Sequence, residues 1–260
     1  MSDTKILIAA HKPYYFPEDK AYLPVQVGAK GKDRFLPIAD DEGDNISEKN
    51  PRYCELTALY FAWKNLTADA VGLVHYRRYF KGNFKFSVNG RKIGVLSKED
   101  CEGILRGTDV ILPKKRRYYI ETLYSHYAHT LYVEPLDITG EIIRETCGGY
   151  YAEFLRLKKR RSAHMFNMMI MKKSVLDNYC GWLFPILLEL ERRVDASKYD
   201  AFHARFFGRI SELLLDVYVN VNGIAYKEIK VVSTENINWA KKIGDFLLAK
   251  FTHKKYGKSF

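Results

Sequence analysis

Short apolar runs alternate with helix-period stripes along this chain. The first run, Ile6-Leu7-Ile8-Ala9-Ala10, predicts a strand over 5–10 that stops at His11-Lys12-Pro13, where proline cannot continue the ladder. A second strand is predicted over 22–27, ending at Gly28. Residues 31–49 are polar and read as loop, with a dense acidic patch Asp40-Asp41-Glu42-Gly43-Asp44. Asn50 as N-cap and Pro51 at the first helical position then open a helix. Its stripe is Leu56, Leu59, Tyr60 and Trp63, at i, i+3, i+4 and i+7. The continuous apolar run 70–74 has the character of a parallel strand covered on both faces, and it ends in His75-Tyr76-Arg77-Arg78. Ser97 with Asp100 forms a capping-box signature for a helix to about residue 105. A strand over 109–112 follows, closed by Pro113 and the basic run 114–117.

The second half is more helical. Helices are predicted over 121–132, 138–145, 175–193 (with Pro185 inside) and 202–219. The last carries Ile210, Leu213, Leu214 and Val217 on one face, and a strand is predicted over 166–171. Strands alternating with helices predict an α/β protein: a mostly parallel sheet flanked by helices, with a more helical C-terminal part. A length of 260 residues suits one domain, over 1–235, with an extension at 236–260. In that extension Trp239, Ile243, Phe246, Leu247 and Phe251 recur at helical spacing among Lys241, Lys242, Lys250, Lys254, Lys255 and Lys258. Such a basic amphipathic helix either anchors to anionic lipid or packs its apolar face on the domain.

Charge narrows the partners. A formal net charge of +11 points to anions: nucleic acid, acidic lipid or phosphorylated small molecules. The four cysteines (Cys54, Cys101, Cys147, Cys180) lack a CxxC spacing, which argues against a zinc cage or disulfide framework and fits a reducing compartment. The apolar run at 6–10 is too short for a signal sequence. No stretch approaches the roughly 18 apolar residues of a membrane span, so the expected location is cytoplasmic.

In open α/β sheets ligands bind beyond the carboxyl ends of strands. Two such ends here are cationic: His11-Lys12 and His75-Tyr76-Arg77-Arg78. The arginine fork suits phosphate, although neighbouring arginines on a strand face opposite ways, so at most one should meet a ligand. The alternative is a pair of solvated charges. His75, His126, His129 and His164 include an i, i+3 pair but no evident third metal ligand. The acidic patch is a solvated loop or a site for Mg or Mn, and Asp44-Asn45 can accept from ribose or sugar hydroxyls. On the 202–219 helix, Arg205, Arg209, Glu212 and Asp216 form a polar stripe. It reads either as a salt-bridged surface or as the seat of a general base.

Several phrases together resemble one bacterial family, the domain of unknown function 4422, whose members occur in capsule and exopolysaccharide clusters and are regarded as glycosyltransferases. They are His11-Lys12, the stretch from Tyr22 to Gly28, the stretch from Asp44 to Asn50, Tyr53-Cys54-Glu55-Leu56-Thr57 with Trp63-Lys64-Asn65, and the stretch from Gly72 to Phe80. Later come the stretch from Ala163 to Met168 and Gly208-Arg209-Ile210-Ser211-Glu212.

The resemblance implies a GT-A-like (Rossmann-like) fold with a nucleotide-binding half over about 1–115 and an acceptor half over about 116–235. It implies donor contacts from His11, Lys12, Gly28, Asp44, Asn45, Lys49, Asn50, His75 and Tyr76, and sugar contacts from His164, Asn167 and Arg209. Glu212 is the implied general base. In such folds a strand of the nucleotide half ends in an Asp-x-Asp metal motif. Here the strand in that order ends in His75-Tyr76-Arg77-Arg78, so Arg77 and Arg78 are expected to neutralise the diphosphate without a metal, and no cofactor is expected. The implied reaction is inverting transfer from a UDP-sugar, with galactofuranose the leading candidate. The acceptor would be lipid-linked or an oligosaccharide of a capsule, exopolysaccharide or O-antigen, met at the inner face of the plasma membrane. The competing readings are a nucleic-acid-binding protein, motivated by the basic clusters 114–117 and 158–161, and a non-catalytic scaffold of polysaccharide assembly.

Overall fold

The structure is a computed structural model describing residues 3–235. The amphipathic helix expected at 236–260 lies outside the described residues. In chain order, β1 (Thr4–Ala10) and β2 (Tyr22–Gln26) precede α1 (Asn50–Tyr53), α2 (Leu56–Asn65) and β3 (Ala70–His75). A hairpin of β4 (Arg78–Val88) and β5 (Arg91–Val95) leads to α3 (Lys98–Leu105), β6 (Val110–Pro113) and the short β7 (Arg116–Arg117). Next come α4 (Leu123–Thr130), α5 (Glu134–Thr146), α6 (Tyr151–Lys159), β8 (Ser162–Ala163) and β9 (Met169–Lys172). The described chain closes with α7 (Lys173–Arg193), α8 (Phe206–Val221), β10 (Tyr226–Ile229) and β11 (Val231–Ser233).

The central sheet runs β10-β6-β9-β3-β1-β2. β1 is parallel to β2 and β3, and β10 to β6, while β9 alone is reversed, antiparallel to both β3 and β6. The apolar runs of β1 and β3 follow from this placement. Side chains alternate across a strand, and both faces are covered. Leu7 and Ala9 point into the core beneath α2, α7 and α8. Ile6, Ile8 and Ala10 point into the second core, which contains α3 and the β4–β5 hairpin. Each fully buried aliphatic side chain of this kind stabilises the fold by roughly 1.5–3 kcal/mol. One sheet therefore draws on both halves of the chain, with β9 and β10 threaded beside strands from before residue 115.

Some elements differ from expectation for local reasons. The helix expected from Asn50 is broken in two at Cys54, which adopts a positive φ of 55° between α1 and α2. The capping box at Ser97 forms as expected, with reciprocal bonds to Asp100. The segment 78–95, unassigned from the sequence, forms the long β4–β5 hairpin. The strand expected at 166–171 begins only at Met169, because Phe166 and Asn167 take left-handed φ values of 81° and 49°. The helix expected from 202 starts as a 3-10 turn over His203–Arg205 and becomes α-helical at Phe206.

Candidate active site

The reversed strand builds the site. Leu73 of β3 pairs with Met169 of β9, so the residues just before β9 lie beyond the carboxyl end of β3. There His75 Nε2 donates to the carbonyl of Phe166, which fixes the imidazole proton on Nε2 because a carbonyl only accepts. Asn167 is 1% exposed, and its Nδ2 donates to Glu55 Oε1 at 2.7 Å and to the Gly208 carbonyl at 2.9 Å. One amide thus ties together the N-cap of α2, the start of α8 and the lip of β9. Glu55 Oε1 also stands 4.0 Å from His75 Nε2.

Glu212 enters this cluster from α8. Its carboxyl is pushed up to about 7, first by burial and then by Glu55; the backbone N–H of Phe166 and the cations Arg78 and Arg209 pull against that rise. The side chain remains partly exposed, so a ligand can reach it. His75 is pushed below its ordinary value of 6.5, chiefly by burial, and is neutral at pH 7. Arg78 stacks its guanidinium 4.8 Å from the centroid of Phe166, and Arg209 lies 4.0 Å over Phe202. Arg205 Nε donates to Cys54 Sγ at 2.9 Å, and burial holds that thiol up at about 11. Two buried polar atoms at this site have no hydrogen-bond partner among the described residues: Asn167 Oδ1 and Arg209 Nη1. Such atoms are rare in folded proteins and mark this cluster as unsatisfied.

Backbone strain concentrates in the same place. Of the four non-glycine residues with positive φ among those described, three are Cys54, Phe166 and Asn167. Such conformations cost on the order of 1–3 kcal/mol each and persist only where surrounding contacts over-determine them. Here those contacts are the bonds of Asn167, the Phe166 carbonyl and the Cys54 thiol.

A cationic mouth adjoins the cluster. His11 follows β1, and its imidazole is held below 6.5 by burial and then by Arg77, Lys12, Arg205 and Lys32. Tyr76 sits among these groups: its ring meets His11 edge-on at 5.1 Å, with Arg77 5.0 Å and Lys12 5.8 Å from its centroid. Arg77 also forms an exposed ion pair with Glu235 at 3.2 Å. The chain reverses between His75 and Arg78 in a tight turn, so the two arginines do not stand on one continuous strand; Arg77 packs on Tyr76 and Arg78 on Phe166, and both charges hold His75 low.

Other residues singled out from the sequence have structural work. His164 is fully buried, with Nδ1 hydrogen-bonded to Asp216 at 2.6 Å and Nε2 to Glu228 at 3.1 Å, so neither ring nitrogen is left for a sugar. Gly28, at φ +61°, donates its N–H to the buried Asp40 and leaves no room for a Cβ beside Asn50. Asp40 also accepts from Ala29 N–H and from the Ser47 and Thr57 hydroxyls, which makes the first acid of the acidic patch a loop organiser rather than a solvated charge. Asn50 Nδ2 donates to the Cys54 carbonyl and Thr57. Lys49 is bound to Glu191 at 2.8 Å. Asp44 accepts from Tyr60, and Asn45 bonds within its own loop. His126 and His129 both bond the buried Glu121 through Nδ1. Among the described residues no group of three or more His, Cys, Asp or Glu side chains is placed to hold a metal ion.

The polar stripe on α8 is not a solvated surface: Asp216 is 1% exposed and Glu212 faces the cluster. Glu212 lies well inside α8, whose N-cap is Arg205. Glu55, Cys54 and Arg205 join the site although none is among the residues expected there from the sequence. The first two stand in the phrase Tyr53-Cys54-Glu55-Leu56-Thr57, which already carried the family resemblance, and that phrase was the available signal.

The fold matches that of a known sugar-transferring enzyme. The apo structure of the bifunctional glycosyltransferase WbbM superposes with a TM-score of 0.81 at 29% identity, over 90% of this chain and 46% of that one. This chain thus spans a little under half of that protein's length. Residues 5–223 match the family model described as Domain of unknown function (DUF4422), and the chain belongs to that family. No curated protein matches it in sequence.

Proposed function

We propose that the chain is a glycosyltransferase acting on a nucleotide-sugar, with Glu212 as general base. The observation that carries this reading is Glu212 itself: a reachable carboxyl held near pH 7 beside the buried amide of Asn167, with a bank of fixed cations adjoining it. A base is most effective when its pKa lies near the working pH. In the proposed step an acceptor hydroxyl oxygen attacks the anomeric carbon while its proton passes to Glu212. The bond from that carbon to the diphosphate breaks, and UDP leaves with the electron pair. Negative charge grows on the leaving group, so Arg77, Lys12 and Arg78 stabilise the transition state more than the ground state. A single displacement of this kind inverts the anomeric centre.

UDP-galactofuranose is the proposed donor and a glycan or polyprenyl-linked acceptor of a bacterial surface polysaccharide the proposed partner. The setting is the inner face of the plasma membrane. Likeness to WbbM and family membership support sugar transfer in general; the furanose donor rests on the resemblance alone. Charge neutralisation by arginine and lysine rather than by a metal is part of the proposal. The test is UDP release with each of a panel of nucleotide-sugars plus acceptor, with and without EDTA. Acceptor-dependent release that survives EDTA is expected. Release abolished by EDTA and restored by Mn²⁺ would overturn the metal-free step, and binding of oligonucleotide in place of any nucleotide-sugar would overturn the enzyme.

A further inference from the structure

Two stretches of positive charge far apart in the chain, 114–117 and 158–161, meet at one ribbon: Arg116 and Arg117 form β7, and Arg160 and Arg161 lead from the end of α6 into β8. β7 and β8 pair antiparallel, with Arg116 opposite Ala163 and Arg117 opposite Ser162. Tyr118 N–H donates to the Arg161 carbonyl and Leu123 N–H to the Arg160 carbonyl, both at 2.7 Å. Between those two bonds the chain loops outward. At its tip Tyr119 and Ile120 are 79% and 57% exposed, more than any other large hydrophobic residue described.

Part of the surrounding charge is already matched, since Lys158 binds Asp137 and Arg160 binds Glu153. Lys114, Arg117, Lys159 and Arg161 are exposed and form no ion pair with a carboxylate among the described residues. Arg161 instead donates to the Tyr119 carbonyl, so one of these cations also shapes the tip.

We propose that this ribbon and its Tyr119-Ile120 tip form a docking surface for an anionic lipid bilayer. An aromatic and an aliphatic side chain projecting together into solvent gain by entering the boundary between headgroups and acyl chains. Unmatched cations around them gain from anionic headgroups within a Debye length. A nucleic-acid surface would use the cations but has no use for an exposed isoleucine. The tip runs through Glu121 directly into α4. The proposal is independent of the glycosyltransferase reading, because lipid binding is measured without turnover.

The test is co-sedimentation of the full chain with vesicles rich in phosphatidylglycerol and with pure phosphatidylcholine vesicles. Binding to the first and not the second is expected. Two double variants, Tyr119→Ser with Ile120→Ser and Lys114→Glu with Arg117→Glu, should each weaken partitioning about tenfold or more while leaving the melting temperature unchanged. Partitioning unchanged in both variants would overturn the proposal. So would equal binding to neutral vesicles, or an effect of the charge variant alone that is matched on single-stranded oligonucleotide. A second measurement reads the tip directly. In Ile120→Trp, tryptophan emission above that of the three native tryptophans should shift to shorter wavelength on phosphatidylglycerol vesicles. No shift in the vesicle-bound protein would equally overturn it.

Discussion

Two clusters in this protein use almost the same ingredients, one histidine and two acids, and differ in every consequence. In the first, His75 stands with Glu55 and Glu212; in the second, His164 stands with Asp216 and Glu228. Their acids Glu212 and Asp216 are one turn apart on α8. The second cluster is closed: both ring nitrogens of a fully buried imidazole are bonded, and Asp216 also accepts the His164 N–H at 2.8 Å. It clamps the β8 turn and β10 to α8. The first cluster is open and unbalanced. Its carboxyls crowd one another, two of its neighbouring polar atoms lack partners, and its backbone is strained. Composition does not separate a structural triad from a reactive one; satisfaction and access do.

The comparison breaks most sharply at Glu212. Glu212→Gln should cut turnover by about 10²–10⁴-fold while the dissociation constant for the donor, read by calorimetry, moves little. A fully active variant removes Glu212 from the chemistry. At the closed cluster the loss should fall on stability instead. Asp216→Ala leaves buried polar partners exposed to no solvent and should cost on the order of 3–5 kcal/mol in denaturant unfolding.

A third experiment asks the open cluster for a stability cost of its own. The pKa of Glu212 in the fold, about 7, lies above its ordinary 4.5. Its favourable contribution is therefore complete below about 4.5 and is lost as pH rises through 7. Glu212→Gln should match the native chain near pH 4.5 and exceed it at pH 8 by up to about 3 kcal/mol, trading function for stability. For the same reason turnover by the proposed step should rise with pH through about 7. Equal stabilities at pH 8 would show Glu212 to be ordinary. The smallest effect is expected at Lys49. Because its amino group is held by Glu191, Lys49→Ala should change stability by less than about 1 kcal/mol and leave donor affinity unaltered. A large fall in donor affinity would mean that the lysine leaves Glu191 for the nucleotide.

Much of the architecture was legible in the chain. The runs at 5–10, 70–74 and 109–112 fall on β1, β3 and β6, where short apolar runs bounded by turn residues suit strands covered on both faces. The stripe Ile210, Leu213, Leu214, Val217 could only be a helix packed on that sheet. The cationic strand ends were visible too, since residues following parallel strands share one edge. The conformations of Cys54, Phe166 and Asn167 were not visible, because left-handed backbone at residues of these types is imposed by their surroundings. Nor did the sequence distinguish His164 from His75. Both follow apolar or small residues and precede a bulky one, and their fates depend on acids 52 and 20 positions away.

What the sequence determined by itself was therefore local and periodic: which segments are strand or helix, which faces are apolar, and where positive charge gathers at strand ends. Those properties follow from side-chain spacing and need no partner. Tertiary structure decided which carboxylate is crowded and which is satisfied. It also decided that the reversed β9 brings Asn167 to Glu55, and that two distant basic runs meet at one ribbon. Each of these depends on distances between residues far apart in the chain, and burial and Coulomb interactions act through those distances, not through order along the backbone.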